Sequence, residues 1–250
     1  MPSFDIIGSK ERAVAIVEPT KQKKKIVAAI MQKHKNVKSI LMKASARRGV
    51  YRLRKLQLIA GSRNTEVVHT ESGCRFLLDP RKVYFSPREG TERLRIAGKI
   101  SEGELVAVFF AGIGPFAIVL SRKSKAREIV GIEKNPVAVK YFKRNIELNK
   151  LNNIIALKSD VKNIGRKFPK SFDRILMPLP ETAIDYLDEA VKCLKPNGII
   201  HMYFFSKENE IGVVRKKIKS ISKKSDFLGL QKVLPYGPRI YKYRADIQIK

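Results

Sequence analysis

Apolar and polar residues follow two different rhythms along this chain. Up to residue 88, short runs of strand-forming residues are separated by glycines, and residues 21–35 place Ile26 and Ile30 on one face and lysines on the other. The second pattern predicts an amphipathic helix and the short runs predict strands. The predicted strands are residues 12–18, 39–43, 51–59, 65–70, 74–79 and 82–86. We therefore expect a small α+β module over residues 1–88.

From residue 89 onwards, strand and helix patterns alternate. The apolar run at residues 105–110, LVAVFF, is typical of a strand buried on both faces. Further strands are predicted at 128–133, 154–159, 172–177 and 198–205, and helices at 91–100, 115–122, 136–148 and 181–194. This alternation predicts βαβ units in a mostly parallel sheet, hence a Rossmann-like α/β domain over residues 89–250. The segments FLGLQKVLPY and RIYKYRADIQIK predict a closing antiparallel pair.

A glycine-rich turn follows the first strand of this second domain, in the stretch FFAGIGPFAI at residues 109–118. Gly112 and Gly114 allow a ligand to approach the backbone closely, and Pro115 suits the first position of a helix. Small ligands of open α/β sheets bind beyond the carboxyl ends of the strands. Two acids stand where the next strands end at this rim: Glu133 at the end of the second strand and Asp160 after the third.

The turn lacks the glycine pattern of a phosphate site, because Phe116 and Ala117 stand where a third glycine is expected. Glu133 can accept hydrogen bonds from both ribose hydroxyls, and Asp160 is within reach of an adenine edge. The pattern favours an adenosine ligand without phosphates, such as S-adenosylmethionine. The alternatives are a helix-start carboxylate at Glu133 and a surface acid at Asp160.

Charge changes the picture further. The chain of 250 residues has 52 Lys and Arg against 23 Asp and Glu, a net charge of +29. Local clusters lie at residues 21–25 and 215–219. Such a field attracts polyanions, which favours a nucleic-acid partner over a merely solvated lysine-rich surface. Charge does not separate RNA from DNA.

The sequence argues against a metal site, a secreted protein and a membrane protein. Cys74 and Cys193 are far apart and have no neighbours at metal-ligand spacing, so we expect buried thiols in a reducing compartment and no metal site. No secretory signal and no run long enough to span a membrane is apparent. We expect a cytoplasmic protein and a monomer.

Several segments together resemble the archaeal and eukaryotic type of tRNA (guanine-37 N1)-methyltransferase. The matching stretches cover nearly the whole chain in order, and YFSPR…TERLRIA joined to FAGIGPF is the most specific of them. The others are SFDIIG, YRLRKLQLIAG, HTESGCRFLLDPRK, IEKNPVAVKYFKRNIELNKL, SDV, DRILMPLP and GIIHMYFF. The resemblance implies a class I S-adenosylmethionine-dependent methyltransferase domain preceded by an RNA-binding module.

The resemblance also implies roles for individual residues. Glu92 matches the family's proposed general base, Arg52 an arginine that contacts guanine O6, and Tyr84 a tyrosine beside the active site and the cofactor. The implied cofactor contacts are Tyr84, Phe110, Gly112, Gly114, Glu133, Asp160, Val161 and Pro178. The implied contacts with the anticodon stem-loop of tRNA are Arg52, Arg54, Arg88, Pro178 and Pro180. Without the family, Glu92 reads as a first-turn helix acid and Arg52 as a strand-face charge.

This chemistry suits these residue types. A carboxylate can remove the proton of guanine N1 while methyl transfer proceeds, and an arginine can stabilise the negative charge that builds on O6. Two departures weaken the match: Pro178 replaces a frequent asparagine and offers no side-chain amide, and Val108 stands where an acid is usual.

Alternatives remain open at this stage. Many family members carry a further N-terminal domain, so either the sequence has been trimmed or the protein lacks it, and anticodon-loop recognition is then expected to rest on residues 1–88 and the catalytic domain. A second activity on a wyosine intermediate at the same position is one alternative, and aminocarboxypropyl transfer is another, disfavoured by Pro115. A non-catalytic RNA-binding protein is the alternative from a different class.

Overall fold

The computed structural model describes residues 4–46, 49, 51, 53–222 and 225–250. The N-terminal part is a four-stranded mixed sheet in the order β1-β2-β3-β4. Its elements are β1 (Phe4–Gly8), β2 (Ala13–Val17), α1 (Lys23–Lys33), β3 (Val37–Lys43) and β4 (Leu56–Gly61). The helix α1 connects the parallel strands β2 and β3, and buries Ile26 and Ile30 as its sequence pattern predicts.

An antiparallel hairpin follows, formed by β5 (Val67–Glu71) and β6 (Cys74–Leu78). The predicted strand at residues 82–86 is wrong, because this segment is irregular. The carbonyl of Asp79 accepts hydrogen bonds from the backbone N–H groups of Lys82 (2.9 Å) and Val83 (3.1 Å). The chain therefore turns where a strand was expected. The strand predicted at 51–59 also begins later, at Leu56.

The C-terminal part contains a seven-stranded sheet in the order β12-β13-β11-β10-β7-β8-β9. Its strands are β7 (Leu105–Phe109), β8 (Glu128–Glu133), β9 (Ile154–Lys158), β10 (Phe172–Met177), β11 (Leu194–Ser206), β12 (Ser225–Gly237) and β13 (Ile240–Ile249). The strands β7 to β11 pair in parallel, whereas β13 runs antiparallel to both β11 and β12. This arrangement confirms the predicted Rossmann-like sheet and its antiparallel end.

Helices cover both faces of this sheet. One face packs against α2 (Gly90–Ala97), α3 (Pro115–Lys123) and α4 (Pro136–Leu148), and the other against α5 (Ile164–Lys167), α6 (Leu187–Cys193) and α7 (Ile211–Ile221). Successive residues of β7 alternate between the two apolar cores, with Val108 in the first and Phe109 in the second. The helix predicted at 181–194 is shorter because a single 3₁₀ turn occupies residues 183–186.

The first apolar core is continuous across the predicted domain boundary at residue 88. It contains Ile7 and Leu41 from the N-terminal sheet, Phe76 from the hairpin, and Phe116 and Phe142 from α3 and α4. The division into two domains between residues 88 and 89 therefore stays a prediction, because the two parts share one core. Both cysteines are fully buried free thiols, as expected. No helix among the described residues is long and apolar enough to cross a membrane.

Candidate active site

The turn after β7 has an unusual backbone. Phe110, Gly112 and Gly114 all have positive φ angles, of 54°, 59° and 87°. A phenylalanine in the left-handed region is uncommon and carries a conformational cost, and such residues cluster at functional sites. The Phe110 ring rests edge-on against Tyr186, with 5.1 Å between the ring centroids. The turn is therefore held in a defined shape.

The two glycines of this turn are required for different reasons. A Cβ atom on Gly114 would lie 2.1 Å from the ring of Phe142, so close packing against α4 demands glycine there. A Cβ atom on Gly112 would meet no atom within 4 Å. Space beside the Gly112 backbone is thus available to a ligand, whereas Gly114 already has a packing role.

Glu133, at the end of β8, accepts two backbone hydrogen bonds. Gly112 N–H donates to Oε2 at 2.8 Å and Asn135 N–H donates to Oε1 at 2.7 Å. Burial raises the pKa of Glu133, and these two donors oppose that rise. A carboxylate has about four acceptor positions, so the side chain keeps capacity for two ribose hydroxyls.

Asp160 follows β9 at the same rim and begins a 3₁₀ turn that buries Val161. Its Oδ2 pairs with Lys134 Nζ at 2.6 Å, and its Oδ1 accepts the Lys162 N–H at 3.1 Å. Burial acts to raise the pKa of Asp160, but Lys134 outweighs it and the pKa is lowered. Asp160 is ionised at neutral pH and can accept a hydrogen bond from an adenine amino group.

The strand ends lie level across the sheet. Phe109 pairs with Ile132, Met177 with Met202 and Tyr203 with Arg244. The turn at residues 110–114, Glu133 and Tyr203 therefore share one rim. The segment from Pro178 to Pro180 leaves β10 at this rim, and its Leu179 carbonyl is already used by the N–H groups of Thr182 (3.3 Å) and Ala183 (2.9 Å).

Glu92 lies on α2 and its side chain is only 2% exposed. The Tyr203 hydroxyl donates to Oε1 at 2.9 Å, and Arg244 also donates to this oxygen. Oε2 is buried and has no hydrogen-bond partner among the described residues, although Arg95 Nη1 lies 3.6 Å away. The predicted base is thus buried against β11 and β13, and Oε1 takes both of its hydrogen bonds.

Some of the predicted site residues lie at a cleft of the N-terminal part. Arg54 and Tyr84 line a cavity of about 100 Å³ between β1, β2 and the irregular segment 80–87. Arg88, beside it, forms an ion pair with Asp5 (Nε to Oδ1, 2.6 Å). Tyr84 is half exposed. Arg52 lies outside the described residues, so its role stays a prediction, as do the other assigned roles.

The structure also identifies a residue that the sequence did not single out, Asn145 on α4. Its Nδ2 donates to the carbonyls of Ile113 (3.1 Å) and Leu77 (3.2 Å), and its Oδ1 accepts the Leu77 N–H (2.7 Å). Asn145 therefore ties the glycine turn to the hairpin. The only signal in the sequence is a second asparagine, Asn149, four residues later on the same helix face.

These residues fit a phosphate-free adenosine ligand. The open space at Gly112 admits close approach, and Glu133 and Asp160 present acceptors for hydroxyl and amino groups. Lys134 at this rim is paired with Asp160 and is therefore already engaged by an acid.

Comparison with known proteins agrees with this geometry. Residues 67–228 match the TRM5/TYW2 methyltransferase domain. The chain belongs to this family. A tRNA (guanine(37)-N(1))-methyltransferase, Trm5b of Pyrococcus abyssi, is 40% identical over 99% of the chain and 74% of its own length. The family relative Taw22 of Nanoarchaeum equitans, named as a tRNA (guanine(37)-N(1))/4-demethylwyosine(37)-methyltransferase, is 32% identical over 99% of the chain and 96% of its own length.

A solved family structure shows the same fold. Methanocaldococcus jannaschii Trm5 in complex with adenosine superposes with a TM-score of 0.81 at 32% identity, over 99% of this chain and 72% of that one. The resemblance seen in the sequence is thus confirmed at the level of family and fold. The family is one of S-adenosylmethionine-dependent methyltransferases, which agrees with the adenosine-type site at the rim.

Proposed function

We propose that this protein transfers the methyl group of S-adenosylmethionine to N1 of guanine 37 of tRNA. The observation that carries the proposal is the position of Glu92, buried against Tyr203 at the rim that also carries the glycine turn and Glu133. The names of two relatives, from Pyrococcus abyssi and Nanoarchaeum equitans, support the substrate.

The rim residues hold the donor. Glu133 accepts from the ribose hydroxyls, Asp160 accepts from the adenine amino group, and Val161 supplies an apolar contact. Gly112 permits close backbone approach, and Phe110 and Pro178 flank the turn. When bound, S-adenosylmethionine supplies a methyl group whose bond to sulfur breaks as the bond to N1 forms.

Glu92 acts as the general base. Its carboxylate takes the N1 proton, and the electron pair of the N–H bond stays on the purine to form the new bond to carbon. Negative charge develops toward O6, where Arg52 is proposed to stabilise it. Arg54 and Arg88 are proposed to contact the anticodon loop from the cleft, and Pro178 and Pro180 from the segment after β10. Tyr84 is proposed to lie beside the active site and the cofactor.

The charge of the molecule suits a tRNA substrate. The lysines at 23, 24 and 25 at the start of α1 are exposed, and the chain as a whole carries a net charge of +29. Contacts with phosphates then supply affinity, while the cleft and the rim select the base. We place the protein in the cytoplasm, where tRNA is available.

One assay tests the proposal. Purified protein is incubated with labelled S-adenosylmethionine and transcript tRNA that carries guanine or adenine at position 37, and the nucleosides are separated. We expect label in 1-methylguanosine only with guanine 37. Glu92→Gln is expected to lower the rate by at least 100-fold with donor affinity retained, since the amide cannot accept the proton. Glu102→Gln, at an exposed ion pair with Lys125, is the matched control and keeps the rate.

The relative from Nanoarchaeum equitans favours a second candidate activity. Its printed name includes 4-demethylwyosine 37, and the alignment spans 96% of its length. The same rim and base suit methylation of that tricyclic guanine derivative. Transfer to tRNA that carries 4-demethylwyosine at position 37 tests it, and absence of label in that nucleoside removes the second activity.

A further inference from the structure

The two carboxylate oxygens of Glu92 have different surroundings. Oε1 accepts from the Tyr203 hydroxyl and from Arg244, whereas Oε2 has no hydrogen-bond partner within the described ranges. The side chain is 2% exposed, so it has little contact with bulk water. The two donors therefore hold the carboxylate through Oε1.

Arg244 is itself fixed by a second acid. Its Nε donates to Asp246 Oδ1 at 2.7 Å and its Nη2 to Oδ2 at 3.1 Å, while Nη1 reaches Glu92. The arginine side chain is 3% exposed. A planar guanidinium gripped at two nitrogens has little rotational freedom. The direction from which it meets Glu92 is therefore set by Asp246.

Asp246 is held in turn by His201. His201 Nδ1 lies 2.6 Å from Asp246 Oδ1, and Arg174 Nη1 lies 2.8 Å from His201 Nε2. Burial lowers the pKa of His201 to about 4, so the ring is neutral at pH 7. Because Arg174 only donates, Nε2 is the acceptor and Nδ1 carries the proton. Arg174 is anchored by two bonds of 2.7 Å to Glu104.

The network extends over three strands of the face that packs against α2. Its cations and acids are paired: Arg174 with Glu104, Lys99 with Asp246, Lys242 with Glu89, Arg95 with Glu92, and Arg244 with both Asp246 and Glu92. Strong coupling is expected inside such a buried chain, since the effective dielectric is low. A surface ion pair would be enough to attach α2. A buried network of this size also fixes the geometry of Glu92, the residue at its end.

We propose that Arg244 is a positioning residue for Glu92: it holds Oε1 and so fixes the orientation of the carboxylate that accepts the guanine N1 proton. The inference rests on the proposed role of Glu92 as base. A carboxylate that loses a fixed donor gains rotational freedom and is less often aligned with the proton it must accept. The groups that face Glu92 are Arg244, Tyr203 and Arg95, with the Glu89–Lys242 pair on the same face.

A double-mutant cycle between Arg244→Met and Glu92→Gln tests the inference by single-turnover methyl transfer at saturating donor and tRNA. We expect Arg244→Met alone to lower the rate at least tenfold, with donor affinity unchanged. In the Glu92→Gln background the same change is expected to cost less than twofold. If the two losses of rate multiplied in the double mutant, the proposal would be overturned, because Arg244 would then act independently of Glu92.

Two further variants separate function from folding. Arg244→Met combined with Asp246→Asn also removes the acid that loses its arginine partner, and is used if the single variant melts before assay. Tyr203→Phe removes the other donor to Oε1 and leaves the Arg244 contact in place, so we expect a smaller loss of rate. A loss as large as that of Arg244→Met would contradict the assignment of the positioning role to the arginine.

A readout without tRNA distinguishes this inference from the proposed function. Infrared difference spectra of wild type against Glu92→Gln report the carboxylate stretching band of Glu92, whose position depends on its hydrogen-bond donors. We expect that band to shift in Arg244→Met relative to wild type. An unchanged band overturns the inference even if methyl transfer is observed, whereas a shifted band with no transfer to guanine 37 overturns only the proposed function.

Discussion

Asn145 pairs with both backbone groups of Leu77, so a helix side chain completes the edge of the β5–β6 hairpin. Oδ1 accepts the Leu77 N–H at 2.7 Å and Nδ2 donates to its carbonyl at 3.2 Å. Asn149, one turn later, repeats the arrangement with Arg75, at 2.9 and 2.6 Å. Only Asn145 also reaches the Ile113 carbonyl in the glycine turn. The hairpin and the donor site are thereby mechanically connected.

Asn145→Ala is expected to weaken both folding and donor binding. Three backbone groups lose their partner, the buried Ile113 carbonyl and the two half-buried groups of Leu77, which predicts a loss of roughly 2–5 kcal/mol in the free energy of unfolding. Asn149→Ala is the matched control, since it frees Arg75 but leaves Ile113 bonded. Denaturant melts should show similar losses, while calorimetry with S-adenosylmethionine should show weaker binding only for Asn145→Ala. Equal donor affinities would argue against the connection to the turn.

Alanine at the two turn glycines should give opposite signatures. Gly114→Ala drives a methyl group into the Phe142 ring, so we expect a large loss of stability. Gly112→Ala meets no protein atom and costs only the strain of a positive φ, about 1–2 kcal/mol. Because that methyl group enters the proposed ligand space, the affinity for S-adenosylmethionine should fall at least tenfold. If a folded Gly112→Ala protein kept its affinity for S-adenosylmethionine, the donor would have to bind elsewhere than at this turn.

Stability should depend on pH through His201. Its folded-state pKa is about 4, below its ordinary value of 6.5, so the unfolded chain binds the proton first as the pH falls. The contribution is complete above pH 6.5 and is lost as the pH falls through 4, a decrease of about 3 kcal/mol. Urea melts at several pH values measure it. His201→Gln, which can donate to Asp246 and accept from Arg174, should flatten the curve in this window, and an equal slope would exclude His201 as the cause.

The lysines of α1 should carry part of the tRNA affinity. Replacement of Lys23, Lys24 and Lys25 by glutamine removes up to three phosphate contacts, so the slope of log affinity against log salt should fall by up to about 3. The matched variant replaces residues 215–217 of α7, which lies on the sheet face opposite to α2 and Glu92. We expect a smaller effect from it in filter-binding titrations. Equal losses of tRNA affinity from the two variants would indicate that tRNA responds to the overall charge and follows no defined path over α1.

Local patterns in the sequence were strongest where burial is uniform. The strands 128–133 and 172–177 and the helix 136–148 agree with the structure residue for residue, because a strand buried on both faces and an amphipathic helix behind Pro136 leave little choice. The same reasoning gave a wrong prediction for the segment 82–86. Val83 and Phe85 are buried and Tyr84 is half exposed although the chain is irregular here, and the segment joins none of the sheets among the described residues.

The chain's own residues determined the α/β class, the closing antiparallel pair, the glycine turn and its acids, since each follows from local periodicity or from one short motif. Only the tertiary structure decided what Glu92 touches. Its partners Tyr203 and Arg244 lie 111 and 152 residues away in sequence, and they meet it because β11 and β13 pair at the rim below α2. Contacts at that separation depend on strand order, which a one-dimensional pattern does not encode.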